Sequence, residues 1–166
     1  PSVVKQYHVG KQHFYSDLKL TDNPDSILKS PPPFSEYKNG IVHSFKKRNY
    51  KSNLFEQQSF IKKGDLFNEN LYYQTLNNFS SLGAWQQIDG RTTIKQDSVY
   101  LHYFLLPALR RSYSFDIEGS RNTSQLTSGN LLGLSTSFTY RDKNVAKKSI
   151  PSITNLRLGI ELNVGN

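Results

Sequence analysis

The sequence predicts an α+β domain ordered strand–helix–helix–strand–strand, followed by antiparallel strands with one apolar and one polar face. Three observations predict it. A capped, amphipathic helix closes at a glycine within FIKKGDLFNENLYYQTLNNFSSLGAW, residues 60–85. Residues 98–106, SVYLHYFLL, are apolar or aromatic on both faces, as a covered central strand requires. Beyond Arg111 the pattern changes to strict apolar–polar alternation. The 166 residues suffice for one domain, or for one small domain plus part of another.

The elements follow in order. Residues 3–15 are rich in β-branched and aromatic side chains with one glycine, Gly10, and read as a strand. Residues 22–48 hold Asn23-Pro24-Asp25, Pro31-Pro32-Pro33 and Asn39-Gly40, and read as a long surface insertion with a tight turn at Asn39-Gly40. Ser52 is placed to cap a short helix running to Phe60, with Leu54, Phe55 and Ile61 inward. In the next helix Asn68 is the N-cap candidate, and Glu69 puts an acid in the first turn, where the helix dipole favours it. Leu71, Thr75, Phe79 and Leu82 recur at helical spacing with Leu76 alongside, and Gly83 supplies the left-handed stop. Strands over residues 84–94 and 98–106 follow, joined at Lys95-Gln96-Asp97, and Pro107, which has no N–H to donate, ends the second.

The alternating part predicts three more strands. Tyr113, Phe115 and Ile117 alternate with Ser114, Asp116 and Glu118 over residues 112–119. Over 130–141, Leu132, Leu134, Thr136, Phe138 and Tyr140 face away from Leu131, Gly133, Ser135, Ser137 and Thr139. Over 155–164, Leu156, Leu158, Ile160, Leu162 and Val164 alternate with Asn155, Arg157, Gly159, Glu161 and Asn163. Polar loops are expected at 121–128 and 142–152. Each strand is about the length, roughly 9–11 residues, that crosses a bilayer at a tilt. A soluble antiparallel sheet alternates in the same way.

Composition bounds the chemistry. Without cysteine there is no disulfide, thiol nucleophile or cysteine zinc site. Pro1 in place of an initiator methionine leads us to expect a fragment or a processed product. No apolar run approaches the roughly 18 residues of a membrane helix. The net charge of +8 comes as scattered doublets such as Lys46-Lys47, Lys62-Lys63, Arg110-Arg111 and Lys147-Lys148. With 10 Tyr and 10 Phe this raises single-stranded nucleic acid as a partner. No recognition signature accompanies the charge, so we expect no nucleic-acid partner, and anionic headgroups are the better acidic neighbour. His8, His13, His43 and His102 lack metal-ligand spacing, and there is no phosphate loop or nucleophile elbow. We expect no catalytic, metal or cofactor-binding residues.

Three stretches together carry a resemblance: YHVGKQHFYSD at residues 7–17, the 60–85 segment, and SFDIEGSRNTSQLTSGNLLGLSTSFTYRDKN at 114–144. On these the chain resembles the BamA/TamA superfamily of outer-membrane assembly proteins, and within it the TamL-like versions from Bacteroidetes. The resemblance implies a last POTRA domain (β-α-α-β-β) over residues 1–110, with an insertion at about 22–48. It further implies the first three strands of a truncated outer-membrane β-barrel over 111–166. It places the protein in the bacterial outer membrane with the POTRA portion in the periplasm, and implies no enzyme activity and no cofactor. Unfolded outer-membrane client proteins, assembly-complex subunits and outer-membrane lipid are the implied partners.

Specific residues follow from it. POTRA domains add partner strands at a sheet edge, which here implies Gln86, Gln87, Ile88, Asp89, Arg91 and Thr93; an ordinary solvated edge is the plain alternative. The first barrel strand, with Tyr113, Phe115, Ile117 and Gly119, is the implied lateral-gate strand. Arg110 and Arg111 are implied at lipid headgroups, or lie in a solvated hinge. Asp116 and Glu118 are expected to face a watery lumen. The competing readings are a soluble periplasmic binding or scaffold module with a POTRA-like fold, and an envelope hydrolase.

Overall fold

A computed structural model describes residues 6–123, 130–145, 147–148 and 150–164. The chain is mostly strand and forms two open sheets. Its elements are β1 (His8–Tyr15), α1 (Pro24–Lys29), β2 (Phe34–Lys38), β3 (Ile41–Phe45), α2 (Asn53–Gln58), α3 (Glu69–Ser81), β4 (Trp85–Lys95), β5 (Ser98–Pro107), β6 (Arg111–Thr123), β7 (Asn130–Val145) and β8 (Ile150–Val164). The first sheet is ordered β2-β3-β1-β5-β4 and the second β6-β7-β8. The chain divides into two units, Pro1–Leu109 with Asn144–Ile150, and Arg110–Lys143 with Pro151–Asn166. No helix is long and apolar enough to cross a membrane, which says nothing of crossing by strands.

In the first unit β1 runs parallel to both β3 and β5, and two antiparallel hairpins complete the sheet. The principal core, between the sheet and α2 and α3, is aromatic. Phe14 stacks on Tyr103 at 4.3 Å between centroids and packs against Phe55 and Phe79 at 5.0 and 5.1 Å. Gln12 lies buried among these rings and is satisfied three times. It donates to the Ile61 carbonyl at 2.8 Å and accepts from Ser59 Oγ at 2.9 Å and Tyr103 Oη at 3.1 Å. A smaller cluster of Tyr15, Leu18, Ile27 and Phe104 covers part of the opposite face. Both faces of β5 are therefore covered, which is why its sequence shows no polar alternation.

The helix expectations meet the structure closely. Asn68 accepts from the N–H groups of Asn70 and Leu71 and caps α3. Gly83 has φ +67°. Thr75 and Phe79 are buried, as expected; Tyr72 is buried too, although the spacing assigned it no inward role. Helix α2 stops at Gln58, so Phe60 falls outside it and is exposed. Ser52 makes no side-chain cap bond there, because its hydroxyl is engaged by His43 and Glu36.

The largest correction concerns residues 22–48. They are not only a surface insertion: β2 and β3 form a hairpin about the Asn39-Gly40 turn, where both residues have positive φ, and β3 pairs in register with β1. Ile41, His43 and Phe45 are buried. Prolines before β2 and the Asn39-Gly40 turn between the strands concealed two five-residue strands. The later strands also extend beyond their expected ends, so the loop expected at 142–152 is largely strand. Residues 3–5, and 124–128 of the other expected loop, lie outside the described residues.

Candidate functional site

The sheet order puts β4 at an edge of the first sheet. A register shift between Trp85 and Gln87 turns Trp85 into the core, where its Nε1 donates to the Ser16 carbonyl at 3.2 Å. Past the shift, Ile88 packs on the helix side while Gln87, Asp89, Arg91 and Thr93 lie on the other face. Gln86, Gln87 and Asp89 are exposed; Ile88, Arg91 and Thr93 are half-buried. Arg91 pairs with Asp25 of α1, and Thr93 Oγ1 bonds His102 Nε2 at 3.0 Å. The six expected edge residues thus share one edge strand but divide between its two faces.

Glycine 90 explains how a helix lies so close behind this edge. A Cβ there would clash with the Tyr72 hydroxyl, so glycine is what admits the tyrosine side chain. The Tyr72 hydroxyl is buried without a hydrogen-bond partner among the described residues, and burial pushes its pKa up to about 12.

In the second unit β6 is an edge strand. Its register sets Tyr113 opposite Tyr140, Phe115 opposite Phe138, Ile117 opposite Thr136 and Gly119 opposite Leu134. The Tyr113 and Tyr140 rings lie 5.2 Å apart. Tyr113, Phe115 and Ile117 of β6 therefore share a face with Leu132, Leu134, Phe138 and Tyr140 of β7; Tyr113, Phe115 and Ile117 remain 63–67% exposed. In β8, Leu156, Leu158, Ile160 and Leu162 are exposed as well. The other face is polar: Asp116 lies opposite Ser137, and Glu118 pairs with Arg157 at 3.4 Å. Both carboxylates are solvent-exposed.

Arg110 and Arg111 converge on Asp142, which falls in the loop expected over 142–152. Arg110 holds its carboxylate in a two-pronged contact at 3.0 and 3.1 Å, and Arg111 Nε approaches at 3.5 Å. Asp142 is buried. A fork matched to a carboxylate gives Arg110 a defined orientation that a freely solvated hinge would not.

The histidines form no group of three or more potential metal ligands among the described residues. His43 has a different role. Its Nδ1 meets Ser52 Oγ at 2.8 Å and its Nε2 meets Ser16 Oγ at 2.7 Å; Ser52 in turn donates to Glu36. Since Ser52 spends its proton on Glu36, Nδ1 carries the hydrogen and Nε2 accepts from Ser16. Burial holds the imidazole neutral, with a pKa lowered to about 4. The chain of groups resembles a nucleophile relay, but Ser16 and His43 are both fully buried, so no substrate reaches the hydroxyl. It anchors β3 to β1 and to the start of α2.

No protein-family model and no curated protein sequence matches the chain. Among solved structures it is similar to the crystal structure of BamA from Haemophilus ducreyi lacking POTRA domains 1–3, at 9% identity and a TM-score of 0.40. The likeness covers 76% of this chain and 32% of that one, so the chain spans about a third of that protein's length.

Proposed function

We propose that this chain is a piece of an outer-membrane protein assembly or translocation factor. Its first unit is a POTRA-type domain facing the periplasm, with the β2–β3 hairpin inserted after the first strand. Its second unit is the start of a β-barrel wall, β6 to β8. The observation that carries this reading is the apolar face of β6–β8. Aromatic and branched residues, exposed on three long strands and in register on β6 and β7, back onto a polar face. A soluble domain rarely leaves so extended an apolar area bare, whereas a barrel wall turns it to lipid. The sequence resemblance to TamL-like proteins supports the same assignment.

The mechanism is non-covalent and needs no cofactor or catalytic group. The free edge of β4 offers backbone N–H and C=O groups to an extended client or partner subunit, giving affinity with little sequence selectivity. The free edge of β6 offers the same groups to an inserting client strand, as a lateral gate does. Arg110 and Arg111, held by Asp142, stand ready for lipid phosphates. The test is membrane partitioning of the intact parent protein with heat-modifiable gel migration. Integral, heat-modifiable behaviour is expected. A parent that stays soluble without detergent would overturn the barrel and leave a soluble periplasmic binding module. Photo-crosslinkers at Gln86 and Asp89 are expected to capture unfolded clients; capture only by positions on α3 would remove the β4 docking role.

A further inference from the structure

A groove of about 540 Å³ lies on the face of the first sheet opposite α2 and α3, and strand addition at β4 makes no use of it. Its floor follows from register. On this face β1 and β5 carry large rings: His13 lies opposite His102, and Tyr15 opposite Phe104. The His13 and His102 rings stack at 4.9 Å with 15° between planes, and Tyr15 stacks on Phe104 at 5.1 Å. The next strand outward, β3, places only Val42 and Ser44 beside them, and β2 adds Ser35 opposite Ser44. The row of rings is interrupted there. A slot remains above the small side chains, beside His13, with Pro31 and Pro32 in its lining.

Thr93 Oγ1 and His102 Nε2 pair with each other in the groove, but other polar groups there lack partners among the described residues. Ser44 is 4% exposed, and its hydroxyl bonds to nothing among the described residues. His102 Nδ1 is buried without a partner, and no hydrogen bond engages the His13 ring among the described residues. Lys11 and Lys95 border the groove, each resting over a tyrosine ring (Tyr37 and Tyr100, at 5.3 and 5.7 Å), and no acidic side chain lines it. Both ammonium groups act on His13 and, after burial itself, depress its pKa. Stacking rings, unpaired hydrogen-bonding groups and uncompensated positive charge meet in one concavity, the combination expected of a small-molecule site.

We propose that this groove binds a small planar aromatic carboxylate, whose ring extends the cross-strand stack beside His13 and whose carboxylate meets Lys11, Lys95 or the Ser44 hydroxyl. The test uses the full chain in detergent micelles and 4-hydroxybenzoate as probe, followed by the His13 and His102 imidazole NMR signals. Phenol supplies a ring without the charge, and acetate the charge without a ring. Expected is saturable one-to-one binding of 4-hydroxybenzoate, at least tenfold tighter than either partial probe. The paired change Lys11→Gln with Lys95→Gln should weaken it at least tenfold; Lys51→Gln, outside the groove, should leave it unchanged. His13→Leu supplies a second variant that removes the stacking face. Absence of saturable binding, equal binding of phenol or acetate, or equal loss in Lys51→Gln would each overturn the proposal.

Discussion

At Gln12 a polar side chain sits in an aromatic core because two separate segments meet on it: residues 59–61, through Ser59 and the Ile61 carbonyl, and β5, through the Tyr103 hydroxyl. Gln12→Leu keeps the volume but strands those partners, and should cost about 2–4 kcal/mol in urea unfolding. Tyr72 is the converse case, since its buried hydroxyl has no partner among the described residues to lose. Tyr72→Phe is expected to leave stability unchanged or raise it slightly, whereas Gly90→Ala should destabilise by driving a methyl into that ring. Titration acts at this scale too. Burial lowers the pKa of both His43 and His102 to about 4; neighbouring His13 and Lys95 reinforce it for His102, and Arg48 for His43 against an opposing Glu36. Between that value and the ordinary 6.5, the unfolded chain binds more protons than the native one, so stability rises with pH across the window. It should be fully present above about 6.5 and fall progressively as the pH drops toward 4. Urea midpoints at pH 7.5 and pH 5 check this, and His102→Gln should flatten the difference. None of these residue roles was legible in the sequence, because each depends on atoms brought together from distant segments.

Elements were more legible where local chemistry alone decides them. The cap at Asn68, the stop at Gly83 and the turn at Asn39-Gly40 are set by backbone geometry within a few residues, and all three are present. Asn68→Ala should cost about 1 kcal/mol, with Asn68→Asp nearly neutral. Gly83→Ala meets no neighbouring atom, so its cost is the left-handed backbone alone, about 1–2 kcal/mol. Thermal denaturation of the two variants separates a lost cap from a strained stop. The hidden strand β3 was not legible: five residues give too short a window for periodicity, and its partner β1 lies beyond any local window. The candidate edge β4 was legible as a polar strand, but its division into two faces was not. That division comes from the register shift after Trp85, which no alternation pattern announces.

Across the whole molecule, the contrast between a central strand apolar on both faces and later strands apolar on one was the clearest message of the sequence. It rests on period-two patterning over long strands, which averages out local accidents. It also gives the sharpest test of the membrane assignment. In the parent protein, Ile117→Arg on the apolar face of β6 should cost about 2–4 kcal/mol of folding stability in lipid vesicles if that position lies near the bilayer midplane. Ser114→Arg on the polar face should cost little, and equal effects would contradict a lipid-facing sheet. The inserted hairpin has a consequence of another kind. Of the two parallel neighbours of β1, β3 follows soon after it in the chain, whereas β5 arrives only at the end of the first unit. Parallel pairing across a long separation is slow, because loop closure must be met before contacts reward it. A chain synthesised N-terminus first thus has β3 available to shield one side of β1 long before β5 exists. If β3 nucleates the sheet in this way, Asn39→Ala in the hairpin turn should slow refolding more than it speeds unfolding, making the insertion a built-in timekeeper for the order of assembly.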